Sequence, residues 1–286
     1  MRYIQVLGVP LGIGAGTAGS EGAPAALRQA GLAERLGATG YQVVDLGDVP
    51  APTSLPDRFD QIAAWCGAVS HTLRHSRNGG FPLVLGGDHS ISMGSVPGLY
   101  ASCQPAIIWI DAHGDFNIPS TSPSGNAHGM SLAALAGLGD PRFTQIGGPE
   151  PKVRPDQIVL FGARDLDLGE RELLREHGVH GFSPQEIREQ GIAAVAGEVL
   201  RLTATAPALH VSLDLDVLDP SIAPGVGTPV ADGLWLHELA EFLAVLAASG
   251  RVASLELVEV NPALDPVGTT AAAAIDLALQ FLTNLP

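Results

Sequence analysis

The chain has 286 residues, enough for one large α/β domain with a sizeable core. It carries 15 Lys and Arg against 30 Asp and Glu, and the formal net charge of −15 repels nucleic acid and anionic membrane while drawing cations. No apolar run reaches transmembrane length, and Cys66 and Cys103 stand in no metal or redox spacing, which suits a reducing, cytoplasmic compartment.

The opening segment, "MRYIQVLGVPLGIGAGTAGS", has the early Arg2 and the small residues of a signal peptide. Gln5, Gly8 and Pro10 interrupt its apolar stretch, however, and it reads better as a first strand and a loop. Short runs rich in Val, Ile and Leu follow at 3–8, 41–45, 82–85, 105–110, 157–161, 208–213 and 251–258. Between most of them lie amphipathic, Ala- and Leu-rich stretches at 24–37, 57–75, 128–137, 191–204, 235–248 and 268–283. Strand alternating with helix, the strands continuously apolar, predicts a parallel sheet covered on both faces. No linker, repeat or charge block divides residues 1–286, which read as a single domain. Gly/Pro-rich loops at 9–22, 117–126 and 219–233 each begin near a strand end, where open parallel sheets bind ligands.

Gly14, Gly16 and Gly19 have the spacing of a dinucleotide-binding loop, with Asp45 ending the second strand. That fingerprint needs its helix to open inside the glycines, so that the helix dipole meets the pyrophosphate. Here the helix opens near Pro24, and Glu21 brings its own carboxylate to the positive end. The segment therefore reads as a loop beside the active site.

Three strand ends share another layout. "FPLVLGGDHS" ends in Asp88 and His89, "IIWIDAHGDFN" in Asp111, His113 and Asp115, and "HVSLDLDVLDP" in Asp214, Asp216 and Asp219. One such end is an ordinary cap or turn; three are different, because a sheet can bring them into one crevice. At about 3.3 Å per residue, Asp214 and Asp216 would face the same way about 7 Å apart, which suits two metal ions about 3.5–4 Å apart. Asp111 and Asp115 would stand about 13 Å apart on a straight strand, so the chain must turn, and Gly114 offers the freedom for it. Asp111, Asp115, Asp214 and Asp216 carry four negative charges, which two divalent cations cancel, leaving His89 and His113 to bind as neutral imidazoles. Oxygen donors with a minority of nitrogen and no thiolate suit Mn²⁺ better than structural zinc. Two such ions would acidify a bridging water into a hydroxide nucleophile.

These residues resemble the ureohydrolases, the arginase and agmatinase family, whose metal motifs stand here in order as "GGDHS", "DAHGD" and "SLDLDVLDP", followed by "GTP" at 227–229. The resemblance runs through nearly the whole chain and implies a three-layer α/β/α fold around a parallel sheet, with two Mn²⁺ per chain. By position it implies that His89, Asp111, Asp115 and Asp214 hold one ion, and His113, Asp111, Asp214 and Asp216 the other. Asp115 would also accept a hydrogen bond from the bridging hydroxide. Asp88 and Asp219 read as turn or supporting groups.

Within the family, "DFNIPSTSPSGNAHGM" resembles the arginase branch. That likeness implies that Asn117 and Ser124 read a substrate α-carboxylate, with Ser122 and Asn126 in support. "ARDLDLGE" implies Asp167 at the α-amino group, with Asp165 and Glu170 less direct, and "LVEVNP" supplies Glu259 to orient the guanidinium. His128 would shuttle protons, and Thr228 lies in a loop that contacts the guanidinium. Taken alone, His128 also reads as a core histidine, and Asp165 and Asp167 as solvated loop acids.

The implied activity is hydrolysis of L-arginine, a cationic guanidino compound, to L-ornithine and urea. Another ureohydrolase substrate, such as agmatine, a guanidino acid or formimidoylglutamate, is the alternative. A two-metal phosphoesterase is argued against by the lack of basic residues for phosphate. The family implies a homo-oligomer, trimer or hexamer. The chain departs from the family at "VADGLWLHE", where Asp232 and Trp235 follow the "GTP" motif and His237 stands where animal arginases place an interface arginine.

Overall fold

The computed structural model describes residues 3–76 and 79–286; Arg2, on which the signal-peptide outline depends, lies outside the described residues. The described residues form eight strands: β1 (Tyr3–Val9), β2 (Gln42–Asp48), β3 (Phe81–Gly86), β4 (Ala106–Ile110), β5 (Ile158–Phe161), β6 (His180–Phe182), β7 (Leu209–Asp214) and β8 (Val252–Val258). They make one sheet in the order β2-β1-β3-β8-β7-β4-β5-β6, with every neighbouring pair parallel. All seven apolar runs are strands. The eighth strand, β6, is three residues with a glycine at its centre and leaves no run to read.

Alternate residues along each strand feed opposite faces. Ile108 and Ile110 pack with the helices Ile192–Leu202, Leu236–Ala248 and Thr269–Thr283 on one side. On the other, Ile107 and Trp109 meet helix Ser131–Leu135, and Leu7 and Val84 meet helix Arg58–Ser76. Both faces are covered, as continuous apolar strands require, and the result is the three-layer α/β/α arrangement.

Helix boundaries depart from the sequence reading where local chemistry intervenes. The stretch 24–37 is two helices, Ala23–Gln29 and Leu32–Ala38, because Gly31 takes a left-handed φ of 85° between them. The stretch 128–137 shortens to Ser131–Leu135 behind a 3-10 turn at His128–Met130. Helix Ser92–Leu99 is buried at every position, so it shows no polar face and no helical stripe in the sequence. Helix Leu168–His177 opens on a capping box in which Asp167 and Glu170 satisfy each other's backbone. The same two acids are expected from the sequence to face a substrate.

Candidate active site

The strand order sets the carboxyl ends of β3, β8, β7, β4 and β5 side by side, although these strands are far apart in the chain. Each of these ends carries polar residues. His89 lies in a 3-10 turn just past β3, Glu259 follows β8, Asp214 ends β7, Asp111 follows β4, and Asp165 and Asp167 lie beyond β5. At the β3 end only glycine fits at position 87, because a Cβ there would stand 1.8 Å from the Leu11 carbonyl oxygen.

Two expectations about local geometry are corrected. Gly114 does not make the turn between Asp111 and Asp115; Asp115 does, with φ of 48°. Gly114 is required for space instead, since a Cβ would lie 2.7 Å from Glu170 Oε1. Asp214 and Asp216 are not on one extended strand either: β7 ends at Asp214, and Asp216 sits in a 3-10 turn with its N–H donating to Asp214 Oδ1 at 2.8 Å.

Folding gathers the six candidate ligands. His89 Nδ1 lies 3.1 Å from Asp111 Oδ2, 3.2 Å from Asp115 Oδ2 and 3.1 Å from Asp214 Oδ2. His113 Nδ1 lies 3.3 Å from Asp111 Oδ1 and 3.0 Å from Asp216 Oδ2. Asp111 therefore spans two clusters, with one oxygen in each. All four carboxylates and His89 are buried, and His113 is partly exposed.

Charge and hydrogen bonding both call for cations here. Burial, then the neighbouring Asp216 and Asp111 charges, push the Asp214 carboxyl well above the usual carboxylate range; burial and Asp111 raise Asp115 to about 6. Burial opposes an imidazolium at His89, yet the three carboxylates hold its pKa well above the ordinary value. Among the described residues, His89 Nδ1 has no hydrogen-bond partner. A buried nitrogen facing three carboxylate oxygens is a set of donors without a positive centre. Oxygen donors plus two imidazoles, with no thiol, fit hard to borderline divalent metals.

Above these clusters opens a cleft of about 170 Å³. It is lined by Asn117, Ser124, Asn126, His128, Asp167 and Thr228, along with Ser122, Asp165 and Glu170. The Asn117 amide donates to Asp167 Oδ2 at 3.0 Å and accepts from Thr121 Oγ1 at 2.9 Å. Ser124 is exposed, and its Oγ accepts from the Asn126 N–H at 3.2 Å. Thr228 Oγ1 donates to Asp216 Oδ2 at 3.0 Å. Glu170 braces the wall: its two oxygens accept the Phe116 and Asp167 N–H groups, and burial raises its carboxyl to about 7. Asp165 is mostly exposed, 4.0 Å from His113 Nε2.

Glu259 lies one residue past β8, with φ of 63°. Its Oε1 accepts from the His89 N–H at 2.8 Å and meets His128 Nδ1 at 2.9 Å. Burial opposes the His128 imidazolium, but Glu259 outweighs it and brings the pKa up to about 9. Asp88 and Asp219 are turn groups, accepting from Ser90 N and Ser221 N. The glycine loop packs beside the site, Gly14 against Ser90 and Asp88 and Gly16 against Asn126, with the helix opening only at Ala23.

Residues that sequence reasoning missed complete the site. Trp109 stacks on His89 at 3.8 Å and donates to Asp111 Oδ2 at 2.9 Å. Its place two residues before Asp111 was the available signal. Arg58 holds the loop by donating to the Ile13 and Ala15 carbonyls and to Asn126 Oδ1, a contact that nothing in the local sequence marks.

The family model described as the Arginase family matches residues 2–283. The chain belongs to the arginase family. It is 42% identical to an arginase of Bacillus caldovelox over 295 residues, covering 97% of each protein. It is likewise 42% identical to an arginase of Brevibacillus brevis, covering 96% of each. Among solved structures, an arginase from Bacillus subtilis superposes with a TM-score of 0.93 at 40% identity over 98% of each chain. A formimidoylglutamase from the same species superposes at 0.82 with 26% identity, covering all of this chain and 88% of that one. Family membership places the protein among hydrolases of amidines. No described helix is long and apolar enough to cross a membrane.

Proposed function

We propose that the protein hydrolyses L-arginine to L-ornithine and urea, in the cytoplasm, with two Mn²⁺ held at the strand ends. The observation that carries this reading is one cleft with two acid–imidazole clusters at its floor and uncharged donors and acids at its rim. High identity to proteins named arginase supports it. His89, Asp111, Asp115 and Asp214 would hold one ion, and His113, Asp111, Asp214 and Asp216 the other. Once bound, the ions would acidify a shared water and make it a usable nucleophile near neutral pH.

The chain's own groups do the rest. Asp115 accepts a hydrogen bond from the attacking water. Glu259 has Oε1 engaged by His89 and His128, which leaves Oε2 to orient the guanidinium. His128, charged up to about pH 9, delivers a proton from its ring to the leaving amine. Asn117 and Ser124 donate to the α-carboxylate, with Asn126 beside them, and Asp167, backed by Glu170, takes the α-ammonium. Thr228 holds Asp216 and borders the guanidinium. The acidic protein field favours entry of a cation. The working form is a homo-oligomer.

The test is urea release from Mn²⁺-loaded enzyme with arginine, agmatine and 4-guanidinobutyrate, and formamide release with formimidoylglutamate. Arginine should lead. Faster hydrolysis of agmatine or 4-guanidinobutyrate than of arginine would overturn the arginine assignment.

A further inference from the structure

A glutamate lies at the middle of this parallel sheet, in a strand whose one other polar residue is Ser254. Glu256 on β8 is fully buried, in register with Ser212 on β7 and Val84 on β3. We propose that Glu256, acting through Ser212, fixes the tautomer of His89 and so keeps its Nδ1 bare for a divalent cation. This rests on the reading of His89 as a metal ligand.

Glu256 Oε1 accepts from Ser92 Oγ and, at 2.7 Å, from Ser212 Oγ; Oε2 accepts from Ser95 Oγ at 2.5 Å; and His210 Nε2 lies 3.2 Å from Oε1. Burial pushes the carboxyl up, but His210 and the serine hydroxyls outweigh it and hold it down at about 2. Ionised, it can only accept hydrogen bonds. Ser212 has one hydroxyl proton, and it is committed to Glu256. Toward His89 Nε2, 2.7 Å away, Ser212 Oγ must therefore act as acceptor. In the neutral form in which His89 would bind a metal, an imidazole that donates from Nε2 carries no proton on Nδ1. That nitrogen is the one facing Asp111, Asp115 and Asp214 without a hydrogen-bond partner among the described residues. Trp109, stacked on the ring at an interplanar angle of 5°, holds its plane. Glu256 is thus a positioning residue, touching neither substrate nor metal.

The rival explanation is structural: Glu256 merely balances His210 in the core. Two substitutions separate the readings. Glu256→Leu removes the acceptor and frees the Ser212 proton to turn toward His89. Ser212→Ala breaks the relay while leaving Glu256 with His210, Ser92 and Ser95, and it serves if the leucine variant fails to fold. Glu256→Gln should rescue, because its carbonyl oxygen can take the place of Oε1 while its amide donates to Ser95.

Metal-free proteins are titrated with Mn²⁺ by calorimetry, and their urea stability is measured separately. Wild type should bind two ions. Glu256→Leu and Ser212→Ala should each weaken one site by about 10–100-fold and spare the other, with Glu256→Gln close to wild type. Wild-type affinity at both sites in Ser212→Ala overturns the relay while leaving the metal reading intact. Equal weakening of both sites that tracks lost stability also overturns it, in favour of the structural role. If wild type binds no Mn²⁺, the metal reading fails and the relay with it.

Discussion

Replacing Asp115 by asparagine should make the metal-free protein more stable and the metal-loaded protein less so. Burial, then the Asp111 charge, raise the Asp115 carboxyl from its ordinary 3.8 to about 6. In the unfolded chain the proton leaves near 3.8, so between about pH 4 and pH 6 the unfolded state loses its proton first. Stability must then fall as pH rises through that window and stay reduced above it. About two pH units at about 1.4 kcal/mol each give a cost of about 3 kcal/mol at pH 8. Asparagine keeps the shape, carries no charge and tolerates the φ of 48° at this position. Chelated Asp115→Asn should therefore exceed chelated wild type by up to about 3 kcal/mol at pH 8, the difference vanishing toward pH 4. With Mn²⁺ at about a thousand times its dissociation constant, wild type gains about 4 kcal/mol. The variant lacks one of the three carboxylates at His89, so the order should reverse. Urea unfolding followed by far-UV circular dichroism, with EDTA or with Mn²⁺, measures both effects. Equal stability of the two chelated proteins at pH 8 would refute the claim that Asp115 is held ionised at a cost.

Metal analysis should find two Mn²⁺ per chain, with activity lost on chelation, and Asp111→Ala should lose more activity than Asp216→Ala because Asp111 reaches both clusters. One tightly held zinc with full activity would contradict this. Activity should rise from neutral toward alkaline pH, and His128→Asn should depress turnover while metal content stays intact; loss of manganese in that variant would make His128 structural. The His128 pKa is raised from 6.5 to about 9, so the stability of its charged pair with Glu259 is complete below 6.5 and disappears as pH rises through 9. Arginine should exceed agmatine by at least about a hundredfold in kcat/KM, since a site built for the carboxylate leaves its donors unpaired without it. Asn117→Ala should erode that preference mainly by weakening arginine, and an unchanged ratio would move carboxylate recognition elsewhere.

The fold class and the candidate ligands could be read from the sequence because both are local signals. A continuously apolar run must be covered on both faces, so seven such runs separated by helical stretches already describe a layered parallel sheet. Asp111, His113, Asp115, Asp214 and Asp216 stood out because charge rarely ends a buried strand without a partner. The reading was weaker where one pattern serves two purposes. Asp167 and Glu170 form a helix cap that also faces the cleft, and helix Ser92–Leu99 has no polar side to show its period.

What tertiary structure alone decided is which side chains share a proton or a charge. The insertion of β8 and β7 between β3 and β4 brings His89 to Asp111 and Asp214, and no window of the chain contains that order. The left-handed backbone falls on Asp115, while Gly114 is needed for space, because Glu170, more than fifty residues later in the chain, lies where a side chain at 114 would go. Nothing in the sequence marks Glu256; the register of β7 on β8 sets it beside Ser212, and Ser212 lies beside His89. Sequence specifies the donors and acceptors. Hydrogen bonds and charges act over a few ångströms, so their pairing waits on the sheet that closes those distances.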